Sequence, residues 1–258
     1  MGLFSSKPDE NSPEFQALVA RWDGYLTKIQ ERYNEVLQQA EEPLTGMIAN
    51  LQYDTVVMHN VLTGLKHQTV EQLSEKIDQG WNKMQSEMSN IGADWDMISG
   101  QRVKGDTMKT WLQGEWYTFQ VKTYSKAANQ ILENVKKHID EAKLHRCTQC
   151  GAELPIKTYS FVAINLKCDS CGSVNTYQPD DRVRALEYYV LNHFAEEKAM
   201  PHKIATKYDK NAGAEYYKTY YGFLMENVPE KKDLYERQMN ERIKWVSGNS
   251  VFSDILSW

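Results

Sequence analysis

The sequence predicts a mainly α fold, in which long amphipathic helices form a bundle or a coiled-coil-like assembly and a small β module is inserted between them. Three observations predict this fold. Apolar residues recur at three-and-four spacing through most of the N-terminal half, as on one face of a helix. All four cysteines fall between Cys147 and Cys171. Between the two cysteine pairs, apolar residues alternate, as they do in short strands.

The length of the chain, 258 residues, exceeds the usual size of a single core. We therefore predict four segments: a flexible N-terminus at 1–12, a long-helix domain at 13–143, a cysteine module at 144–178 and a C-terminal helical region at 179–258.

The first helix is predicted to begin at Pro13, with Ser12 as its N-cap, because proline loses nothing at the first helical position. Pro43 is predicted to stop or kink this helix, since proline removes a backbone donor. The apolar stripe of the helix comprises Phe15, Leu18, Val19, Trp22, Tyr25, Leu26, Ile29, Tyr33, Val36, Leu37 and Ala40.

Two further apolar stripes, at 44–65 and 70–91, predict a helical hairpin or a gently broken long helix, with Thr69 as a candidate cap for its second arm. The stretch from Gly92 to Gly114 contains four glycines among large aromatic residues, which predicts an irregular connection. The next helix is then expected to begin near Asp106 and to run up to the first cysteine pair.

The C-terminal region is predicted to contain a helix that begins at Asp180-Asp181, where acidic residues suit the positive end of the helix dipole, and that ends at Pro201. A tyrosine-rich segment and a last helix at about 230–246 follow. The apolar tail at 251–258 is predicted to dock on its own protein or on a partner. The buried face of the first of these helices is predicted to comprise Val183, Leu186, Val190 and Phe194.

The cysteines form two Cys-x-x-Cys pairs with seventeen residues between them. This spacing is typical of a four-thiolate zinc site. Each pair is followed by a glycine, Gly151 or Gly172, which suits a tight turn that directs backbone N–H groups towards sulfur. Four thiolates complete a tetrahedral coordination sphere, as in structural rather than catalytic sites.

The stretch at 145–178 resembles the zinc-ribbon modules, in which two such turns clamp one zinc ion over a small antiparallel sheet. The resemblance implies one structural Zn²⁺ and no catalytic residue. The ligands it implies are Cys147, Cys150, Cys168 and Cys171. The even-numbered residues from Ile156 to Leu166 are expected on one face of the two strands predicted between the cysteine pairs.

Other readings of the cysteines stay open. The same four ligands suit an iron centre of the rubredoxin type, and two Cys-x-x-Cys pairs also suit redox chemistry. His145 competes as a ligand, although four thiolates favour a place for it outside the coordination sphere.

Enzyme chemistry finds little support in the sequence, because phosphate-binding glycine motifs, nucleophile elbows and zinc-protease motifs are absent. His193, Glu196 and Glu197 share one helix and form a candidate acid/base group, but solvated helical charges are the favoured interpretation. The tyrosines near Lys203 and Lys218 suggest either packing or protein contact, or stacking with nucleic-acid bases.

The leading hypothesis is a non-enzymatic helical scaffold or adaptor that acts through protein partners and self-assembly. Its predicted location is the cytoplasm, because no apolar run approaches the roughly 18 residues that span a bilayer and no secretory signal opens the chain. The net charge of −5 does not resemble that of a dedicated nucleic-acid binder.

Two alternatives rank lower. The first is a nucleic-acid-associated zinc-ribbon factor that uses basic residues in and around the module. Those residues are Lys143, Arg146, Lys157, Lys167, Arg182 and Arg184.

The second alternative is a peripheral membrane coat that attaches through the N-terminus. The start MGLF and the acidic break before Pro43 resemble those of bacterial membrane-remodelling proteins of the phage-shock type.

Overall fold

The computed structural model describes residues 10–142, 146–154, 163–206, 209 and 211–248. The fold is mainly α with a small two-stranded antiparallel sheet, which confirms the predicted fold class. None of the described helices combines the length and the apolarity that a bilayer-crossing segment requires.

The helices before the cysteines are α1 (Pro13–Ala49), α2 (Val56–Lys66), α3 (Gln72–Asn90) and α4 (Trp95–Ala142). The strands are β1 (Ile164–Lys167) and β2 (Val174–Tyr177). The helices after them are α5 (Asp181–Leu186), α6 (Asn192–Ala205), α7 (Ala212–Asn227) and α8 (Lys232–Gly248). Two π-helical segments, His67–Glu71 and Glu187–Leu191, and a 3₁₀ turn, Pro229–Lys231, join neighbouring helices.

The described chain divides into two compact units. Unit 1 contains the residues up to Thr45 and the segment His59–Tyr117. Unit 2 contains the segment Gly46–Met58 and the residues from Thr118 onwards. The segment bounds predicted from sequence stay a prediction.

Helix α1 begins as predicted, with the Ser12 hydroxyl accepting from Phe15 N–H at 3.4 Å. Pro43 does not stop it, because the helix continues to Ala49. An interior proline costs about 3 kcal/mol, and burial of apolar residues along the helix, among them Leu44 directly after the proline, opposes that cost.

The second and third stripes lie on α2 and α3, which the π-helical segment His67–Glu71 joins. Thr69 is not a cap. It is buried inside this segment, and its hydroxyl donates to the Leu65 carbonyl at 2.7 Å. Helix α3 ends at Asn90. Gly92, two residues later, has a φ of 80°, and the N–H groups of Gly92 and Ala93 bond back to the last turn of the helix.

The irregular connection predicted from Gly92 to Gly114 is wrong, because α4 begins at Trp95 and continues through Gly100, Gly105 and Gly114. Tertiary packing explains the helix at Gly105, where a Cβ atom would lie 3.0 Å from the Trp22 ring. The indole of Trp22 also donates to the Gln101 carbonyl at 3.0 Å. The glycine therefore admits a buried tryptophan rather than ending the helix.

The core of unit 1 consists of apolar residues from α1, α3 and α4. Its fully or nearly fully buried members are Phe15, Trp22, Leu26, Ile29, Tyr33, Leu73, Ile77, Trp81, Met84, Met88, Ile98 and Leu112.

The core of unit 2 combines the C-terminal part of α4 with the helices after the cysteines, where α6 packs on α7 and α7 on α8. Asp180 caps α5 as expected by accepting from the N–H groups of Arg182 and Val183. The predicted end at Pro201 is wrong, because α6 continues to Ala205, held by buried residues on both sides of the proline. Of the predicted buried face, Val183, Leu186 and Val190 are buried and Phe194 is half-buried.

Several predictions concern residues outside those that the structure describes. They are the N-terminal segment 1–9, His145, the predicted strand residues at 156–162, Lys143, Lys157, Tyr208 at the start of the predicted tyrosine-rich segment, and the tail 251–258.

Candidate metal centre

The four cysteines lie in two tight turns of nearly identical geometry. In the first turn, Gly151 N–H donates to the Cys147 carbonyl at 2.9 Å. In the second turn, Gly172 N–H donates to the Cys168 carbonyl at 2.8 Å. Both glycines have a φ near +75°, a conformation that side chains with a Cβ atom disfavour. The glycines after the cysteine pairs therefore have the role that the sequence predicted.

A second pair of backbone bonds closes each turn. Cys147 N–H donates to the Ala152 carbonyl at 2.7 Å, and Cys168 N–H donates to the Ser173 carbonyl at 2.8 Å. Each turn thus fixes its first cysteine through both backbone polar groups.

The ligand atoms of Cys147, Cys150, Cys168 and Cys171 all lie within 4.8 Å of one another. The Sγ atoms of Cys147 and Cys171 are 3.6 Å apart, as are those of Cys150 and Cys168. Sulfur atoms around tetrahedral zinc, with Zn–S bonds of about 2.3 Å, are about 3.8 Å apart. The four cysteines are therefore positioned to hold a metal ion, and the centre is compatible with a zinc-binding module.

Two residues after the second turn hold the cysteines in place. The Ser173 hydroxyl lies 3.0 Å from Cys147 Sγ and 3.1 Å from Cys171 Sγ. Asn175, which is buried, accepts from Thr148 N–H at 2.9 Å and places its amide nitrogen 3.5 Å from Cys147 Sγ. Asn175 thereby ties the first cysteine turn to strand β2.

Hydrogen bonds favour the thiolate form that a metal requires. The Ser173 hydroxyl, together with the backbone N–H of Cys150, lowers the pKa of Cys147 to about 5. The same hydroxyl lowers the pKa of Cys171.

The thiol of Cys150 shows the opposite behaviour. The backbone N–H of Ala152 lowers the pKa of Cys150, but the neighbouring thiols and burial outweigh that bond and raise the pKa to about 12. Negative charges this close repel one another unless a cation lies among them. A cation bound among the four sulfur atoms would therefore stabilise their negative charges.

The sheet differs in part from its prediction. Strand β1 lies before the second cysteine pair as expected, and its residues Ile164 and Leu166 share the more buried face. Strand β2 follows the second pair and pairs with β1 from Ile164↔Tyr177 to Lys167↔Val174. The residues nearest the cysteines form a small core of Cys147, Leu154 and Cys168, against which Ala152 and Leu166 pack.

The three candidate acid/base residues, His193, Glu196 and Glu197, each contact a different partner. His193 stacks on Tyr124 with ring centroids 4.5 Å apart, and burial lowers its pKa to about 4. Glu197 accepts from the Ser125 hydroxyl. The interpretation as solvated helical charges is therefore wrong for His193, which packs inside unit 2.

Glu196 belongs to a polar group that sequence reasoning missed. It lies 3.5 Å from the ammonium of Lys203, whose side chain is 0% exposed, and it accepts from the Tyr216 hydroxyl at 2.5 Å. Burial lowers the pKa of Lys203 to about 8, opposed by Glu196. A buried lysine carries no sequence signal, because its spacing matches that of any solvent-facing lysine on a helix.

The tyrosines of α7 pack and hydrogen-bond within unit 2. Tyr220 donates to the Asn192 side chain at 3.1 Å, and Tyr235 on α8 donates to Glu187 at 2.6 Å. The Tyr216–Glu196 hydrogen bond belongs to the same set. In all three bonds a tyrosine hydroxyl donates to a polar side chain of α6 or of the π-helical segment before it. Packing was one of the interpretations that the sequence left open for these tyrosines.

No protein-family model matches this chain, and the searches of curated proteins and of solved structures found no similar protein. The chemistry of the centre is therefore inferred from its own geometry.

Proposed function

We propose that this protein is a non-enzymatic helical scaffold or adaptor, in which one structural zinc ion orders the cysteine module and the helices carry contacts with protein partners and with other copies of the chain. The observation that carries the proposal is the set of four mutually close cysteine sulfur atoms. Four protein ligands fill a tetrahedral sphere, which leaves no coordination position for a substrate.

The surroundings of the cysteines also suit a structural ion. Ser173 and Asn175 contact the sulfur atoms, in the way that residues around a metal site orient its ligands. Among the residues described at 146–154 and 163–178, few apolar side chains pack at the cysteines, and a module of this size buries too little surface to fold by packing alone. Zinc supplies the missing stabilisation when bound.

Exposed apolar side chains on the helices support a role in protein contact. Trp95 at the start of α4 is 68% exposed, and Val56 and Val57 at the start of α2 are also largely exposed. Tryptophan is enriched among the residues that dominate binding energy at protein interfaces. Trp95 is therefore our candidate contact residue.

Metal analysis of the purified full chain tests the first half of the proposal. We expect one zinc per chain by plasma mass spectrometry and no visible absorption. A coloured protein that contains iron would support the rubredoxin-type alternative, and reversible disulfide formation without bound metal would support redox chemistry.

Sedimentation velocity over a range of protein concentrations tests the second half. We expect species heavier than the 29.9 kDa chain, and a shift of Trp95→Ser towards that mass. Val103→Ser, which alters another exposed apolar residue of α4, is the matched control. A monomer at every concentration would contradict self-assembly.

A further inference from the structure

The four cysteines of the metal centre differ in their exposure to solvent. Cys147 and Cys168, the first cysteines of the two turns, are 3% and 1% exposed. Cys150 and Cys171, the second cysteines of the turns, are exposed. Each turn therefore presents one cysteine side chain to solvent and keeps the other inside the module.

The sulfur atoms pair across the two turns, and each pair joins an exposed cysteine to a buried one. Cys171 Sγ lies 3.6 Å from Cys147 Sγ, and Cys150 Sγ lies 3.6 Å from Cys168 Sγ. The Ser173 hydroxyl contacts both sulfur atoms of the first pair, at 3.0 Å and 3.1 Å. Because a disulfide bond joins two sulfur atoms at about 2.0 Å, each pair could form one after an approach of about 1.5 Å.

This arrangement is typical of cysteines that respond to oxidants. In such sites an accessible sulfur atom reacts with the oxidant, and a second cysteine close to it completes a disulfide bond. Both pairs that cross the two turns combine an accessible sulfur atom with a sheltered neighbour.

We propose that these two cross-turn pairs, Cys171 with Cys147 and Cys150 with Cys168, are oxidation sites at which a hydroperoxide forms disulfide bonds and thereby releases the metal ion. This inference rests on the proposed function, because the released ion is the structural zinc of that proposal.

Each disulfide bond forms in two steps. The exposed thiolate attacks one oxygen atom of hydrogen peroxide, so that an S–O bond forms, the O–O bond breaks and hydroxide leaves. The buried thiolate then attacks the oxidised sulfur atom, so that the S–S bond forms, the S–O bond breaks and a second hydroxide leaves. Two electrons pass from the pair of sulfur atoms to one peroxide molecule, and the site loses two of its four ligands.

The oxidised module keeps a covalent connection between its two turns. A metal ion connects the turns through four sulfur atoms, whereas the disulfide bonds connect the same turns directly. A thiol reductant returns the cysteines to the form that binds metal, since a disulfide, unlike a sulfonic acid, is reversible. The modification is therefore a reversible one.

Titration of the zinc-loaded full-length protein with hydrogen peroxide tests the proposal. A chromogenic chelator measures the released zinc. Tryptic mapping without reduction locates the disulfide bonds, because cleavage after Lys157 and Lys167 places the two turns in different peptides. We expect loss of the bound zinc, fragment spectra that show the Cys147–Cys171 and Cys150–Cys168 links, and recovery of the zinc content after a thiol reductant and zinc are added.

Cys171→His and Cys150→His are a matched pair of variants, because histidine keeps a fourth zinc ligand in a Cys₃His set. Cys171→His should lose the link to Cys147 and keep the Cys150–Cys168 link. Cys150→His should show the reverse. Disulfide bonds within one turn of the unsubstituted protein, sulfinic acids without disulfide bonds, or zinc that stays bound in excess peroxide would overturn the proposal.

The zinc content before peroxide is added separates this proposal from the proposed function. A chain isolated without zinc would contradict the proposed function. A zinc-loaded chain that keeps its metal in peroxide would contradict the oxidation sites alone. Where a histidine variant fails to bind zinc, the disulfide map of the unsubstituted protein decides the outcome.

Discussion

The cysteine module and the helices α5–α8 maintain their structures by different means. Among its described residues the module has a small core of Cys147, Leu154 and Cys168, together with tight turns, hydrogen bonds to sulfur and four cysteines positioned to hold a metal ion. The helices bury a continuous apolar core and line it with paired polar groups. We therefore expect that replacing a single metal ligand should unfold the module, whereas each single substitution in the helices should lower the free energy of unfolding only in part.

The largest expected effect is the loss of a metal ligand. Cys168→Ser should release zinc and unfold the module, because metal binding contributes on the order of 10 kcal/mol to such a site. The helical circular dichroism signal should persist. Metal analysis and hydrogen exchange measure the two outcomes.

Ser170→Ala, in the same turn but without a ligand atom, is the control for this prediction. If the Cys168→Ser variant lost most of its helical circular dichroism signal, the two regions would not be independent. The metal site would then be essential to the whole fold.

The buried Lys203 gives the largest expected effect within the helices. Lys203→Met should lower the free energy of unfolding by about 3 kcal/mol, because it leaves Glu196 without its cation. Adding Glu196→Gln should cost less than the sum of the two single substitutions. Urea titration measures all three.

Lys198→Met is the matched control, since Lys198 is exposed and pairs with Glu226 at 3.7 Å. It should change the free energy of unfolding by less than about 0.5 kcal/mol. Strictly additive costs for Lys203 and Glu196 would show that their contact does not stabilise α6.

Acid should destabilise the helices through His193. The pKa of His193 falls from 6.5 to about 4 on folding because of burial, so the unfolded chain binds more protons between these values. The stability contributed by neutral His193 is complete above pH 6.5 and is lost as the pH falls towards 4. The expected loss is about 2 kcal/mol at pH 5 relative to pH 8.

His193→Gln should remove this part of the pH dependence. Urea titration of both proteins at several pH values provides the measurement. A pH profile that is the same in both proteins would show that the pKa of His193 does not differ between the folded and the unfolded chain.

Replacing Asn175 should have a smaller effect, on the zinc affinity of the module. Asn175→Leu should weaken zinc binding about tenfold, because the amide orients Cys147 and holds Thr148. Competition with a chromogenic chelator measures the affinity. Asn165→Leu, on the exposed face of β1, should leave the affinity unchanged, and equal losses in both variants would assign the effect to the sheet rather than to the sulfur contact.

A glycine-to-alanine substitution should destabilise the cysteine module but stabilise a regular helix, for which α4 provides the example. Gly151→Ala forces a Cβ atom into a positive-φ turn and should destabilise the module by about 1 kcal/mol. Gly100→Ala lies within α4, meets no atom within 4 Å, and should raise the stability of the helix by about 0.5–1 kcal/mol. Chelator competition measures the first change and thermal unfolding measures the second; changes of equal sign would contradict the comparison.

The helices could be predicted because their apolar spacing is a local property of the chain. Their continuation through Pro43, Pro201 and the glycines of α4 could not be predicted. Such residues cost about 1–3 kcal/mol inside a helix, and packing elsewhere decides whether the helix tolerates that cost. Trp22 against Gly105 is the clearest case.

The sequence by itself determined the mainly helical fold class and the four cysteines that lie together, since both follow from residue spacing. Only the tertiary structure decided which groups contact the sulfur atoms, which lysine is buried and which cysteine of one turn lies beside which cysteine of the other. Ser173, Asn175 and Lys203 acquire these roles from residues distant in the chain, and the spacing of residues along a sequence carries no information about such contacts.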